Sequence, residues 1–148
     1  MGLVKVSDVY AALHQLLRED EIIGELMGFT AKTTALDKAK RIQKRKIPAD
    51  TLQSAKLPLI SFYKLPGRAE NNHLSYVTPF DFDVYTNNDT ETAINIADRI
   101  NELLHDQYVP VCSGSLKSKY VTSAEDATDL KDIYKYFTQI LVNLTLEG

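Results

Sequence analysis

The chain has 148 residues, of which 44% are hydrophobic and 25% are charged, and its formal net charge is −3. These values are typical of one soluble globular domain, and the single cysteine, Cys112, excludes an intrachain disulfide framework. No stretch approaches the roughly 18 apolar residues of a membrane span, and no signal-peptide core is found at the start. We therefore expect a cytosolic-type domain with no membrane partner.

The first predicted element is an amphipathic helix that begins after Ser7, a favourable N-cap residue. From Val9 to Leu17, apolar residues recur at the i, i+3, i+4 and i+7 spacing of one helical face. Residues 20–28 extend this helix by a short turn, with Gly24 and Gly28 as the expected breaks. Such a helix can pack against a sheet.

A strongly basic segment follows at residues 30–56. It contains eight basic and two acidic side chains, a net charge of +6 that leaves −9 for the rest of the chain. Its large apolar residues before Pro48 are few, chiefly Leu36 and Ile42, and the residue before a proline avoids helical geometry. We therefore predict a long, partly mobile basic excursion and no packed element at this position.

Strand signals dominate the middle of the chain. Residues 59–65 and 74–86 predict a β-hairpin, in which Pro66 and Gly67 form a turn that ends the first strand and the polar stretch 68–73 forms the tip. In its second strand, apolar Phe80 and Phe82 alternate with Asp81 and Asp83, which indicates one buried face and one polar face.

The C-terminal part predicts another helix and further strands. An amphipathic helix runs from about residue 90 to residue 105, and a short apolar segment at 108–111 is interrupted by Pro110. A third strand at 116–122 leads into an acidic loop at 123–129 that contains Glu125, Asp126 and Asp129. The last strand, 134–146, has apolar residues on both faces and suits a central position.

This order predicts one α+β domain spanning residues 1–148. We expect a mainly antiparallel sheet of about four strands, two amphipathic helices packed on one face, and the basic excursion at residues 30–56.

Residues that could support catalysis or metal binding are few. Asp81 and Asp83 share one face of a strand, where they could bind a hard cation or form an acid/base pair. A nuclease-like site would need a further Glu and Lys nearby, so a solvated or cross-strand-paired polar face is the favoured interpretation. The histidines and Cys112 lack metal-ligand spacing and an activating neighbour, and no Gly-rich phosphate loop occurs. We expect no enzyme activity and no cofactor.

The basic segment is the strongest functional candidate, and three interpretations remain open. It could be a solvated surface, it could contact nucleic-acid phosphates, or it could contact the Glu125, Asp126 and Asp129 loop of a neighbouring subunit in a head-to-tail ring. The candidate interface residues on the basic side are Lys38, Lys40, Arg41, Lys44, Arg45 and Lys46.

Four stretches together resemble the tail-terminator or head–tail joining (tail-completion) proteins of long-tailed bacteriophages, over residues 5–145. They are LDKAKRIQKRK at 36–46, LPLISFYKLPG at 57–67, FDFDVYT at 80–86, and the helical stretch 93–104. The resemblance implies a non-catalytic subunit of a homohexameric ring that caps the tail tube and docks to the head connector. Its partners would be the tail tube protein and the connector or stopper protein, with DNA as a transient neighbour.

The same resemblance implies that the protein is found in the virion, and in the host cytoplasm during assembly. The segments at 30–56 and 123–129 would then be the contacting elements. Two alternatives stay open: a nucleic-acid-binding adaptor that uses the basic segment, and a metal-dependent nuclease-like enzyme built on Asp81 and Asp83.

Overall fold

The computed structural model describes residues 5–48, 56–69, 75–111, 114–128 and 130–145. Within this part of the chain there are four helices and seven strands. In chain order they are α1 (Val6–Glu19), α2 (Glu21–Met27), α3 (Ala35–Arg41), β1 (Ile42–Gln43), β2 (Leu59–Lys64), β3 (Arg68–Ala69), β4 (Ser75–Thr86), α4 (Thr90–Leu104), β5 (Gln107–Val111), β6 (Gly114–Asp126) and β7 (Tyr134–Thr145).

All seven strands belong to one sheet, in the order β1-β2-β4-β7-β6-β5, with β3 added beside β4. The pairs are antiparallel except for β1 and β2, which run parallel. The predicted α+β class, the antiparallel pairing of β2 with β4 and the central position of β7 are confirmed, whereas Arg68 and Ala69, expected in the hairpin tip, form β3. β7 is central because it carries apolar side chains on both faces and pairs with β4 on one side and β6 on the other.

The prediction of about four strands was too low. β1 and β3 have only two residues each, too few for an alternating pattern to be visible in the sequence. β5 contains Pro110, which was predicted to interrupt the short apolar segment at 108–111. The structure places β5 at the edge of the sheet, where a proline is tolerated because one side of the strand needs no hydrogen bonds.

The main core lies between one face of the sheet and the helices. Phe62 and Phe82 on neighbouring strands stack with their ring centroids 5.2 Å apart, and Tyr10 of α1 packs on Phe62 at 5.7 Å. On α4, the apolar stripe that includes Ile96 and Ile100 is fully buried against β4 and β7. The two predicted amphipathic helices, α1 and α4, therefore cover one sheet face as expected. α2 lies within the short helical extension predicted at residues 20–28, whereas α3 is additional.

A short break separates α1 from α2 at Asp20, which adopts an extended conformation and accepts a hydrogen bond from the backbone N–H of Ile23. Gly28 ends α2 in the left-handed region, at φ 77°, as predicted. Gly24 was expected to be a second break, but it lies inside α2.

The basic segment is packed over residues 35–43, contrary to the predicted excursion. Thr34 caps α3 by accepting a hydrogen bond from the backbone N–H of Asp37, and Ile42 is fully buried as part of β1. Arg41 donates from Nε to the carbonyl oxygen of Pro58 at 3.2 Å and from Nη2 to that of Met27. One buried apolar residue and one anchored arginine are thus enough to fix the segment, although its composition is mostly charged. Residues 49–55 lie outside the described chain.

The predicted acidic loop is also corrected. Residues 123–126 continue β6 and stay paired with β7, because an irregularity between Tyr120 and Thr122 shifts the register and lets pairing resume. Asp129 lies outside the described residues.

Candidate functional site

The six basic interface candidates gather along one edge of the sheet, on α3 and on the segment directly after β1. Lys40 is exposed on α3, and Lys44, Arg45 and Lys46 are exposed beyond β1. The hydroxyl group of Ser61 donates to the carbonyl oxygen of Arg45, which holds this segment along β2. We call the exposed side chains of Lys40, Lys44, Arg45 and Lys46 the basic edge.

Arg41 and Lys38 differ from the four exposed cations because both are half-buried and lie beside Phe29. The guanidinium of Arg41 lies 5.0 Å from the ring centroid of Phe29, and burial lowers its pKa. Lys38 is half-buried, with its Nζ 5.8 Å from the same ring. These two cations stabilise the packing of α3 against Phe29. They are therefore weaker candidates for contact with another molecule than the side chains of the basic edge are.

The acidic candidates lie at the end of β6. Glu125 is exposed and accepts a hydrogen bond from the hydroxyl group of Tyr134 at 3.0 Å. Asp126 already has a partner in the same subunit, since its Oδ2 lies 2.8 Å from Nζ of Lys135, and this hydrogen bond lowers its pKa. The structure therefore leaves Glu125 as the more available of the two carboxylates.

The basic and acidic residues do not meet within one subunit. β1 and β6 are separated in the sheet by β2, β4 and β7. Neighbouring strands are about 4.8 Å apart, so three intervening strands keep the two elements out of contact along the sheet. The two groups of opposite charge thus lie on separate strands of one subunit.

The outer side of β6 is partly open. β5 pairs with β6 only as far as Ser118, and the backbone N–H of Tyr120 points away from β7 to donate to Nδ1 of His105 at 3.1 Å. Val121 lies at the register shift, residues 122–126 then pair with β7 on their inner side, and within the described chain no strand pairs with the outer side of residues 121–126. We call this stretch the open edge. Its Val121 is 49% exposed.

The sheet face opposite the helices carries a buried polar network. Asp81 and Asp83 of β4 are only 6% and 1% exposed. Tyr63 donates its hydroxyl hydrogen to Oδ2 of Asp81 at 2.7 Å, and Nζ of Lys135 lies 3.4 Å from Oδ2 of Asp83. The solvated version of the predicted polar face is therefore wrong, whereas its cross-strand-paired version is confirmed.

The pKa values in this network follow from burial and from neighbouring charges. Burial, together with the adjacent Asp81, raises the pKa of Asp83 to about 7. Burial alone would lower the pKa of Lys135, but hydrogen bonding to Asp126 and the charge of Asp83 outweigh it, so the pKa rises. Lys135 was not predicted as a member of this network, although a lysine within an otherwise apolar and aromatic central strand was the signal in the sequence.

The remaining chemical candidates do not form a site. His14 is buried, with Nε2 2.9 Å from the carbonyl oxygen of Ile42, and His105 accepts the hydrogen bond from Tyr120. His73 and Cys112 lie outside the described residues. Across the ranges that the structure describes, no group of three or more His, Cys, Asp or Glu residues is placed to hold a metal ion. In the same ranges, no helix is long and apolar enough to span a bilayer.

Comparisons with known proteins give a similarity of fold. No protein-family model matches this chain, and no curated protein matches it. A chain in the solved structure of the virion of a native gene transfer agent (GTA) particle is similar to it with a TM-score of 0.68. The match covers 94% of this chain and 96% of that chain at 14% sequence identity, so the two share a fold over almost their whole lengths.

Proposed function

We propose that this protein is a structural subunit of a bacteriophage-like virion, and more specifically a tail-terminator or head–tail joining subunit that closes into a homohexameric ring. The observation that carries the proposal is the fold shared with a chain of a GTA virion, because it extends over nearly all of both chains. The sequence resemblance to tail-terminator and head–tail joining proteins supports the same class of protein.

The distribution of charge supports assembly through contacts between identical subunits. Three strands of one sheet separate the basic edge from the acidic end of β6, so their charges can pair only between molecules. A contact that joins one side of a subunit to the other side of the next is head-to-tail, and it closes into a ring when the rotation between subunits allows it.

Exposed apolar side chains lie beside both charged regions. Leu36 and Ile47, near the basic edge, are 66% and 71% exposed, and Val121 lies on the open edge. Apolar side chains flanked by charges are typical of protein interfaces. In the proposed ring, Leu36, Ile47 and Val121 would supply buried apolar area, and Lys44, Arg45, Lys46 and Glu125 would set the orientation of the contact.

Within this proposal the ring has two further partners. One of its faces would meet the tail tube protein and the other the head connector or stopper protein, in the virion and, during assembly, in the host cytoplasm. The proposed action needs no bond chemistry. In this fold, Asp81 and Asp83 are also too deeply buried for a nuclease-like reaction on an external substrate.

The exposed cations favour a second candidate, a nucleic-acid-binding adaptor. Lys40, Lys44, Arg45 and Lys46 could neutralise phosphates, and the affinity would then fall steeply with rising salt concentration. The net charge of −9 outside residues 30–56 argues against a long DNA footprint on this protein.

The test is solution mass by light scattering over a concentration series, with negative-stain images of the largest species. We expect closed rings of about six subunits for the wild-type chain. The triple reversal Lys44→Glu, Arg45→Glu and Lys46→Glu should weaken assembly while the melting temperature of the monomer stays close to that of wild type. The reversal Lys119→Glu is the control, because Lys119 is exposed on β6 before the open edge.

Mixing two charge variants tests whether the basic edge pairs with Glu125 of a neighbouring subunit. A Glu125→Lys variant should assemble poorly alone and should form mixed contacts with the triple-reversal variant, because the inverted charges are again complementary.

Two outcomes would contradict the proposed contact. If the triple reversal abolishes DNA binding in a gel-shift assay but leaves ring formation intact, the basic edge binds nucleic acid and does not form the ring contact. If the reversal lowers monomer stability and assembly together, the basic edge is part of the core packing and the proposed contact is wrong.

A further inference from the structure

The buried acidic pair on β4 is not used by the proposed function. Asp81 and Asp83 lie two residues apart on one strand, so their side chains project from the same sheet face. The opposite face, with Phe80 and Phe82, is the one that the helices cover. After burial, the neighbouring Asp81 carboxyl group is the main cause that raises the pKa of Asp83.

Each carboxyl group has one satisfied oxygen and one unsatisfied oxygen. Oδ2 of Asp81 accepts from Tyr63, and Oδ2 of Asp83 faces the ammonium of Lys135. Among the described residues, neither Oδ1 atom has a hydrogen-bond partner, although both are buried. A buried, unsatisfied carboxylate oxygen is costly, so two of them side by side require an explanation.

We propose that a single proton is held between Oδ1 of Asp81 and Oδ1 of Asp83 in the folded protein, so that the pair carries one negative charge and forms a proton-binding site in the centre of the sheet. The shared proton satisfies both oxygens with one hydrogen bond. It also removes the repulsion between two adjacent buried carboxylates, the situation in which one of two acids stays protonated.

A bound cation would be a poorer occupant. Mg²⁺ and Ca²⁺ take about six or more oxygen ligands, whereas this site offers two free carboxylate oxygens. The Tyr63 hydroxyl is already oriented as a donor to Asp81, and the ammonium of Lys135 already supplies a positive charge next to Asp83. One proton on the pair leaves a charge of −1 to balance Lys135.

The ionisable groups around the pair come from several elements. They are Tyr63 on β2, Tyr85 on β4, Lys135 on β7, Asp126 on β6 and, above the Tyr63 ring, Lys46 from the segment after β1. Lys135 alone among them lies in direct contact with Asp83 as a cation, and it is shared with Asp126 at 2.8 Å. Burial and Asp81 therefore prevail over Lys135, and the pKa of Asp83 rises to about 7.

The consequence is that acid stabilises this part of the sheet. An ordinary aspartate titrates near 3.8, so between that pH and about 7 the folded chain binds a proton that the unfolded chain has released. The free energy of unfolding contributed by the pair therefore falls as the pH rises through this window and levels off above it.

The direct test is a pH titration of the full chain with ¹³C-labelled aspartate, followed by NMR of the carboxyl carbons. We expect the Asp83 resonance to shift with a midpoint near 7, and the Asp81 resonance to respond to the same single protonation because the proton lies between the two groups. An Asp83 midpoint below 5 would overturn the proposal. So would a midpoint that moves when millimolar Mg²⁺ or Ca²⁺ replaces a chelator, since a cation would then occupy the site.

A variant provides a second readout. In Asp83→Asn, the amide can donate to Oδ1 of Asp81 permanently, so the pH dependence due to the pair should disappear. Between pH 5.5 and 8, the melting temperature of the wild type should fall relative to that of the variant by roughly 4–8 °C. Asp132→Asn, which removes an exposed carboxylate, is the matched control and should follow the wild type. Parallel wild-type and Asp83→Asn profiles would overturn the proposal, and this outcome is independent of whether rings form.

Discussion

Arg99 of α4 and Asp20, at the junction of α1 and α2, form a two-point contact between residues 79 positions apart in the sequence. Nη2 of Arg99 lies 2.8 Å from Oδ1 of Asp20, and Nε lies 3.0 Å from Oδ2. The same Oδ2 accepts the backbone N–H of Ile23 in the first turn of α2. One carboxylate therefore both caps a helix and ties the N-terminal helices to α4, and the hydrogen bond from Arg99 lowers its pKa.

We predict that Asp20→Ala lowers the free energy of unfolding by about 2–3 kcal/mol, because it removes a helix cap and a charge-assisted pair together. Urea denaturation measures this change. Glu102→Ala is the control, since Glu102 is the exposed second partner of Arg99 and its loss should cost less than about 0.5 kcal/mol. Equal effects of the two substitutions would contradict the dual role of Asp20.

A second prediction concerns two glycines in different surroundings. A Cβ atom at Gly67 would overlap the carbonyl oxygen of Val77 and would lie 2.6 Å from Cβ of Thr78. Because backbone atoms cannot move aside cheaply, Gly67→Ala should destabilise the fold by about 2 kcal/mol or more.

Gly24, inside α2, has open space around it, since the nearest atom to an added Cβ would be 3.9 Å away on Phe29. Gly24→Ala should therefore stabilise the fold by up to about 1 kcal/mol, since alanine favours helix. Thermal unfolding of both variants tests the two predictions. A Gly67→Ala variant as stable as the wild type would show that β3 and β4 can separate at little cost.

His14 should produce a pH dependence opposite in sign to that of the acidic pair. Burial lowers its pKa, so the folded state keeps the imidazole neutral while the unfolded chain takes up a proton below about 6.5. The stability that depends on His14 is thus present above pH 6.5 and is lost as the pH falls below that value. Between pH 7.5 and 5, the wild type should lose stability relative to His14→Gln. Profiles that stay parallel over this range would show that the histidine can be protonated without leaving its site.

The long, strongly periodic elements could be predicted from sequence, because their evidence is local. α1, α4, β4 and β7 each repeat their hydrophobic pattern several times, and this repetition fixes both the type of element and its buried face. The weakly patterned elements were missed for the same reason. α3 and β1 contain one fully buried residue, Ile42, and their place depends on Arg41 reaching carbonyl groups of Met27 and Pro58, which are distant in sequence.

For the candidate site, too, some features could be predicted from the sequence and others depend on the fold. The sequence by itself determined that positive charge concentrates within residues 30–56, that Glu125 and Asp126 form an acidic group, and that Asp81 and Asp83 share one strand face. Only the tertiary structure decided that three strands of one sheet separate the two charged groups, that Arg41 is held within the subunit, and that the two aspartates are buried beside Tyr63 and Lys135. The physical reason is that charge and periodicity are properties of neighbouring residues, whereas burial and pairing depend on which distant strands the sheet brings together.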